Sequence, residues 1–114
     1  GTPFAEMDWQ WVQTLYNDGK KYVPSEPKQY TIRFRDDGTL KIRADCNLKG
    51  GRYAISENRL SIEITQSTMA ACPDGSLEAQ FVRDLSAGAR YFLKDGNLYI
   101  DLKYDSGTMK LSSP

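Results

Sequence analysis

The sequence predicts a mainly β, α+β fold: a curled antiparallel sheet or partly open β-barrel of about seven or eight strands, with one packed helix. Three observations predict it. Apolar residues alternate with polar ones through most of the chain, short turn motifs separate the alternating runs, and a single segment switches to helical spacing. No βαβ alternation occurs, which excludes a doubly wound parallel sheet.

Taken in order, Trp9 and Trp11 open an alternating run to Tyr16, read as a strand in which Gln13 and Leu15 share the tryptophan face; Asn17-Asp18-Gly19 ends it. Residues 17 to 29, with Pro24 and Pro27, read as a loop. Tyr30, Ile32 and Phe34 then face inward and Thr31, Arg33 and Arg35 outward. Asp36-Asp37-Gly38 supplies a turn, and Leu40, Ile42 and Ala44 resume the inward row, so 30–35 and 39–45 form a hairpin. A second hairpin joins Tyr53 and Ile55, through a turn at 56–59, to Leu60, Ile62 and Ile64. Leu77, Phe81 and Leu85, with Val82 beside them, give the helix its apolar stripe; Pro73 and Asp74 mark its start, with Asp74 as the cap, and Gly88 stops it. A three-strand meander closes the chain, its inward residues being Tyr91 and Leu93, then Leu98, Ile100, Leu102 and Tyr104, then Met109 and Leu111. A helix laid across the mouth of a partial barrel would bury its stripe.

One domain suits 114 residues, with 1–8 as an N-terminal tail and 9–114 as the domain. Lysine plus arginine equals aspartate plus glutamate, 15 against 15, so no global field draws the protein to a polyanion, and no nucleic-acid partner is expected. Nothing approaches the roughly 18 apolar residues of a membrane-spanning helix. Gly1-Thr2-Pro3 has the look of a mature start, so the one membrane link left open is an N-terminal anchor preceding Gly1.

Cys46 and Cys72 are the chain's two cysteines, too far apart for a Cys-x-x-Cys redox motif. Histidine is absent, so zinc, which takes four ligands drawn mostly from cysteine and histidine, has no ligand set. No metal and no cofactor are expected. A disulfide is the favoured reading, implying an oxidising compartment, with buried free thiols as the alternative.

The two cysteines sit in motifs that carry more information than either does alone: Asp45-Cys46-Asn47 with Gly51 and Tyr53 behind it, and Thr68-Met69-Ala70-Ala71-Cys72 before the helix. Together with Trp11, Phe34 and Gly38 upstream, and Glu78, Phe81, Leu85, Tyr91, Gly96, Leu98, Gly107 and Leu111 downstream, they resemble the META domain, the HslJ-like family of bacterial envelope proteins. The resemblance spans nearly the whole chain. It implies a small curled β-structure with a helix, found in periplasmic proteins and lipoproteins, with a heat-shock and antibiotic-resistance association in one branch. Secretin pilot proteins, some of which bind lipid tails, have a similar architecture. Trp11, Asn47, Gly51, Tyr53, Thr68 and Met69 enter as the structural family motif, and no catalytic residue is implied. Where the family more often has glycine before the cysteine this chain has Asp45, which predicts a backbone there without positive φ. Leu111 stands where the family often has phenylalanine.

Candidate sites are few. A nucleophilic cysteine needs a base or another thiolate-stabilising setting, and Asn47 beside Cys46 supplies none, so Asn47, Gly50 and Gly51 read as a turn or bulge with local asparagine hydrogen bonds. Glu57, Glu63, Asp101 and Asp105 fall in turns or on outward faces, and Glu78 and Asp84 read as solvated helix charges, so no carboxylate pair is assembled. Arg33, Arg35, Lys41 and Arg43 share the outward face of one hairpin and form a candidate basic binding stripe for phosphate or an acidic partner. Tyr30 and Phe34 point the other way, which argues against base stacking. The expected function is a non-enzymatic, periplasmic or extracellular META-type domain acting through binding or envelope maintenance. Its partner would be an envelope protein or a small apolar ligand. The rival readings are a small-molecule or lipid-binding partial barrel, and a protein-interaction or assembly-chaperone module similar to secretin pilots.

Overall fold

The structure, a computed structural model, describes residues 2–114. Among them nine strands and one helix follow in the order β1 (Asp8–Tyr16), β2 (Lys21–Tyr22), β3 (Tyr30–Phe34), β4 (Thr39–Ala44), β5 (Asn47–Ser56), β6 (Arg59–Ser67), α1 (Glu78–Ser86), β7 (Gly88–Lys94), β8 (Asn97–Leu102) and β9 (Gly107–Ser112). All pairings are antiparallel, and β9 returns to pair with β1, so the sheet curls into a ring with β2 appended to the far half of β1. The ring is weakest between β6 and β7. These two strands share one bridge, Arg59 opposite Arg90, supplemented by a hydrogen bond from the Tyr91 amide to the Asn58 carbonyl. This is where the chain leaves the sheet to make α1.

The fold class follows from the alternation. Ile32, Phe34, Leu40, Ile42, Leu60, Leu98, Ile100, Leu102, Met109 and Leu111 all point into the ring and are buried. Curling is concentrated at bulges, one of which lies between Gly50 and Gly51 on β5. A Cβ on Gly51 would stand 2.0 Å from the Glu63 carbonyl oxygen, so only glycine lets the two strands approach there.

Each end of the ring is plugged. At the Tyr30 end of β3, Phe81 of α1 stacks on Trp11 at 5.0 Å and meets Tyr30 edge-on at 5.7 Å, while the Tyr30 hydroxyl accepts the Leu77 amide. At the Phe34 end sits Phe4, fully buried, edge-on to Phe34 and Tyr91 at 4.8 Å each, its carbonyl accepting the Trp9 indole N–H. Phe4, within the segment expected as a tail, therefore packs into the body of the domain. Residues 1–8 held too little period-two signal to reveal a single plugging ring.

Other expectations need correction. A bulge between Trp11 and Gln13 shifts the inward row of β1, so Thr14 is buried and Leu15, expected beside the tryptophans, faces out. The Trp11 indole donates to the Thr14 hydroxyl, which makes a hydroxyl in the core tolerable. The 17–29 loop contains β2 and a 3-10 turn at Pro27–Gln29. Asp45 adopts φ 57°, the left-handed conformation that the family's glycine would take without strain and that was not expected of aspartate. Asp74 does not cap α1; the helix starts later, and the Ser76 hydroxyl accepts the Glu78 amide. Tyr104 leaves the β8 row for a 3-10 turn with φ 64° and is exposed, and Leu93 is also largely exposed.

Candidate functional site

Asn47, Thr68 and the two cysteines assemble at the N-terminal end of α1. Asn47 opens β5 facing inward, 2 % exposed, opposite the strap that runs from β6 to the helix. Its Nδ2 donates to the Ala70 carbonyl at 2.9 Å and to Glu78 Oε2 at 2.7 Å. Its Oδ1 accepts the Ala70 amide and the Thr68 hydroxyl, each at 2.8 Å. The Thr68 hydroxyl in turn accepts the Leu48 amide at 3.0 Å. These bonds reach across the domain, where local ones were expected. Both cysteines join in a disulfide, Cα to Cα 5.5 Å, immediately before Asn47 and at the end of the same strap. Lys49 completes the network, its Nζ 3.0 Å from Glu78 Oε2 and 2.7 Å from the Ser67 hydroxyl. Every polar atom of the Asn47 side chain is thus answered, which is what a buried amide requires. Three other motif residues stay apart: Met69 is 90 % exposed, Gly51 lies at the β5 bulge, and Tyr53 packs edge-on to Phe34 at 5.1 Å with its hydroxyl donating to the Arg35 carbonyl.

A different arrangement lies toward the C-terminal end of α1. Asp84, expected as a solvated charge, is 1 % exposed. Its Oδ1 accepts the Tyr16 hydroxyl and, at 3.1 Å, the Gln80 amide, while Oδ2 has no hydrogen-bond partner among the described residues. The Gln80 amide also donates to the Tyr16 oxygen at 2.6 Å, and Arg83 donates to Gln80 Oε1 at 2.6 Å. Burial pushes the Asp84 carboxyl above its ordinary value, against the opposing pull of the Tyr16 and Gln80 hydrogen bonds, the nearby Thr14 hydroxyl and the charge of Arg83. Burial, then the Asp84 hydrogen bond and charge, hold the Tyr16 phenol above its own ordinary value. Beside this centre lies a cleft of about 310 Å³, walled by Tyr16, Tyr22, Arg83, Asp84, Ala87 and Leu102. A signal for the buried acid was present in the sequence: Leu77, Gln80, Phe81, Asp84 and Leu85 fall at i, i+3, i+4, i+7 and i+8, one helix face.

The basic stripe forms on one face but is not uniform. Arg33 donates two bonds to Asp8, at 2.8 and 3.0 Å, and this pairing holds the Asp8 carboxyl below its usual range. Arg43 turns to the Asp45 carbonyl at 3.2 Å. Arg35 and Lys41 make no ion pair among the described residues and line an open groove with Lys49, a residue not foreseen there. Among the described residues no three of histidine, cysteine, aspartate and glutamate converge as a metal site would require, and no helix is long and apolar enough to cross a membrane.

An antiparallel ring plugged by one helix, with a strap fastened by a disulfide and a buried asparagine, defines a small β-barrel-like domain. The chain belongs to the META domain family, whose model matches residues 2–112. Solved structures share the fold. A protein from Burkholderia xenovorans, determined by NMR, is similar at a TM-score of 0.79 and 18 % identity, with 97 % of this chain and 83 % of that one covered. A DUF4847 family protein from Bacteroides vulgatus ATCC 8482 is similar at 0.74 and 15 % identity, covering 96 % and 94 %. No match was found among curated proteins.

Proposed function

We propose that this domain is a non-enzymatic binding module of an oxidising cell-envelope compartment, periplasmic or extracellular, with the envelope-maintenance character of the HslJ-like proteins it resembles. The observation that carries the reading is the Cys46–Cys72 bridge in its setting. Cys46 is solvent-exposed, so the bridge is open to thiol exchange and persists best where the surrounding thiol pool is oxidising. A non-enzymatic role is supported by how the polar groups around the strap are used: Asn47, Thr68, Glu78 and Lys49 hold one another and the strap. The ring interior is filled by Trp9, Trp11, Phe34, Phe81 and their aliphatic neighbours, so a ligand would meet the outside of the barrel. Small-molecule binding is the second reading, favoured by the cleft beside Tyr16 and Asp84.

Intact mass with thiol labelling of unfolded, non-reduced protein taken from its native compartment tests the proposal. A mass two hydrogens light, no labelling and recovery in the envelope fraction are expected. Two reactive thiols would overturn it.

A further inference from the structure

We infer that the outer groove across β4, β5 and β6 binds a phosphate-ester oxyanion. This names the ligand class for the binding role proposed above and rests on that role.

The groove, about 400 Å³, is lined by Arg35, Lys41 and Lys49 together with Leu40, Leu48 and Gln66, and no aspartate or glutamate lines it. In a chain with 15 cations and 15 anions such local separation is a product of the fold rather than of composition. Its floor has a structural cause. Lys41 stands opposite Gly50 and Gly50 opposite Gln66, so a row crossing three strands lacks its middle side chain. A Cβ at position 50 would come within 2.6 Å of Gln66 Nε2; the amide occupies the space over the glycine and makes no hydrogen bond to the described residues.

Two of these cations are free to bind. Lys49 stands opposite buried Ile42, is 10 % exposed and is held by Glu78 of α1, so it borders the groove without offering it a free cation. The nearby acids are committed elsewhere: Asp8 to Arg33, and Asp37 to the Thr39 amide and hydroxyl, although Asp37 also lies within the field of Arg35. Arg35 and Lys41 make no ion pair among the described residues, Asp37 and Asp8 reaching them only through their fields, and the Gln66 amide is a neutral donor beside them. A guanidinium fork, an ammonium and an amide suit a tetrahedral oxyanion with several acceptor oxygens. Leu48, 58 % exposed, gives the groove an apolar wall for the organic part of an ester. A free phosphate ester and a phospholipid headgroup share this chemistry.

The test uses the full, disulfide-bonded domain. Glycerol phosphate is titrated in and followed by amide chemical shifts, and phosphatidylglycerol vesicles are compared with phosphatidylcholine vesicles by co-sedimentation. Saturable shifts centred on Lys41, Gly50 and Gln66, or binding to the anionic vesicles alone, are expected, and the two arms separate a free ester from a headgroup. Arg35→Glu with Lys41→Glu should weaken whichever binding is seen by about tenfold or more, while Lys94→Glu, on the β7–β8 hairpin and outside the groove, leaves it unchanged. A melting curve verifies folding of the variants, and Lys41→Gln serves as the milder second variant. No saturable response to either probe overturns the inference, as does an equal loss in Lys94→Glu, which would mean diffuse attraction. Such a failure with the disulfide intact in the envelope removes the groove and leaves the compartment reading standing. Reduced thiols in the native compartment would do the reverse.

Discussion

The two ends of α1 solve the burial of polar groups in opposite ways. At the N-terminal end Asn47 makes four hydrogen bonds and a disulfide lies beside them, so the strap is fixed by satisfied contacts. At the C-terminal end Asp84 is as deeply buried, yet one of its oxygens has no partner among the described residues. An amide asks only for hydrogen bonds when buried, whereas a carboxylate asks also for its charge to be answered. The first end is built for stability; the second carries a cost that depends on protonation.

The largest expected effect breaks the stable end. Replacing Cys46 and Cys72 together by serine should lower unfolding free energy by roughly 3.5 kcal/mol in the chain-entropy model for a loop of this length, read from urea unfolding of the oxidised protein and the variant. Asn47→Ala comes next. It strands the Ala70 amide, the Thr68 hydroxyl and one contact of Glu78, with Lys49 still holding the carboxylate, and should cost about 2 kcal/mol with the disulfide still closed. A loss below about 0.5 kcal/mol would mean that water replaces the asparagine and that the contrast between the two ends is false.

Legibility followed the same division. Strand rows and the helix stripe could be read because burial imposes a period on apolar residues, as Ile32, Phe34, Leu98 and Ile100 do. The bulge that turns Thr14 inward in place of Leu15 could not, since a bulge is an insertion of one residue that no period announces. The pairing of Cys46 with Cys72 was within reach because two cysteines have one connectivity. The partners of Asn47 lie 21 to 31 residues away on other elements, so its role was hidden although the residue itself stood out. Asp84 was misread because charge outweighed position: Gln80 and Asp84 complete the apolar face of α1, and a polar residue on such a face is a sign of a buried network. Alternation puts Arg33, Arg35, Lys41 and Arg43 on one outward face, but which of them are free depends on Asp8 and on the backbone of Asp45, neither visible as a partner in sequence.

Two smaller effects sharpen the other end. Tyr16→Phe removes the phenol that donates to Asp84 and accepts from Gln80, and should cost about 1–2 kcal/mol by urea unfolding at neutral pH. Because the Tyr16 phenol is held above its ordinary value, the variant should also lose the last-titrating tyrosine in an alkaline absorbance titration. An unchanged titration would show that another of the seven tyrosines is the late one.

Asp84→Asn keeps an acceptor for Tyr16 while removing the ionisable group, and its effect is a dependence on pH. The folded-state carboxyl lies above its ordinary value, so the folded chain holds that proton more tightly than the unfolded chain does. The stability Asp84 contributes is therefore complete below the ordinary carboxyl range and is lost as pH rises through the raised folded-state value. Asp8 and Asp37 have the opposite sign, their carboxyls being held low by Arg33 and Thr39, but they are present in both proteins and cancel in the difference. The asparagine variant should gain on the parent as pH rises from the acid side, and the gain should level off once Asp84 is ionised. Urea midpoints of the pair across this range decide the matter: a difference that grows and then plateaus assigns the cost to the buried charge, and a constant difference assigns it to packing alone.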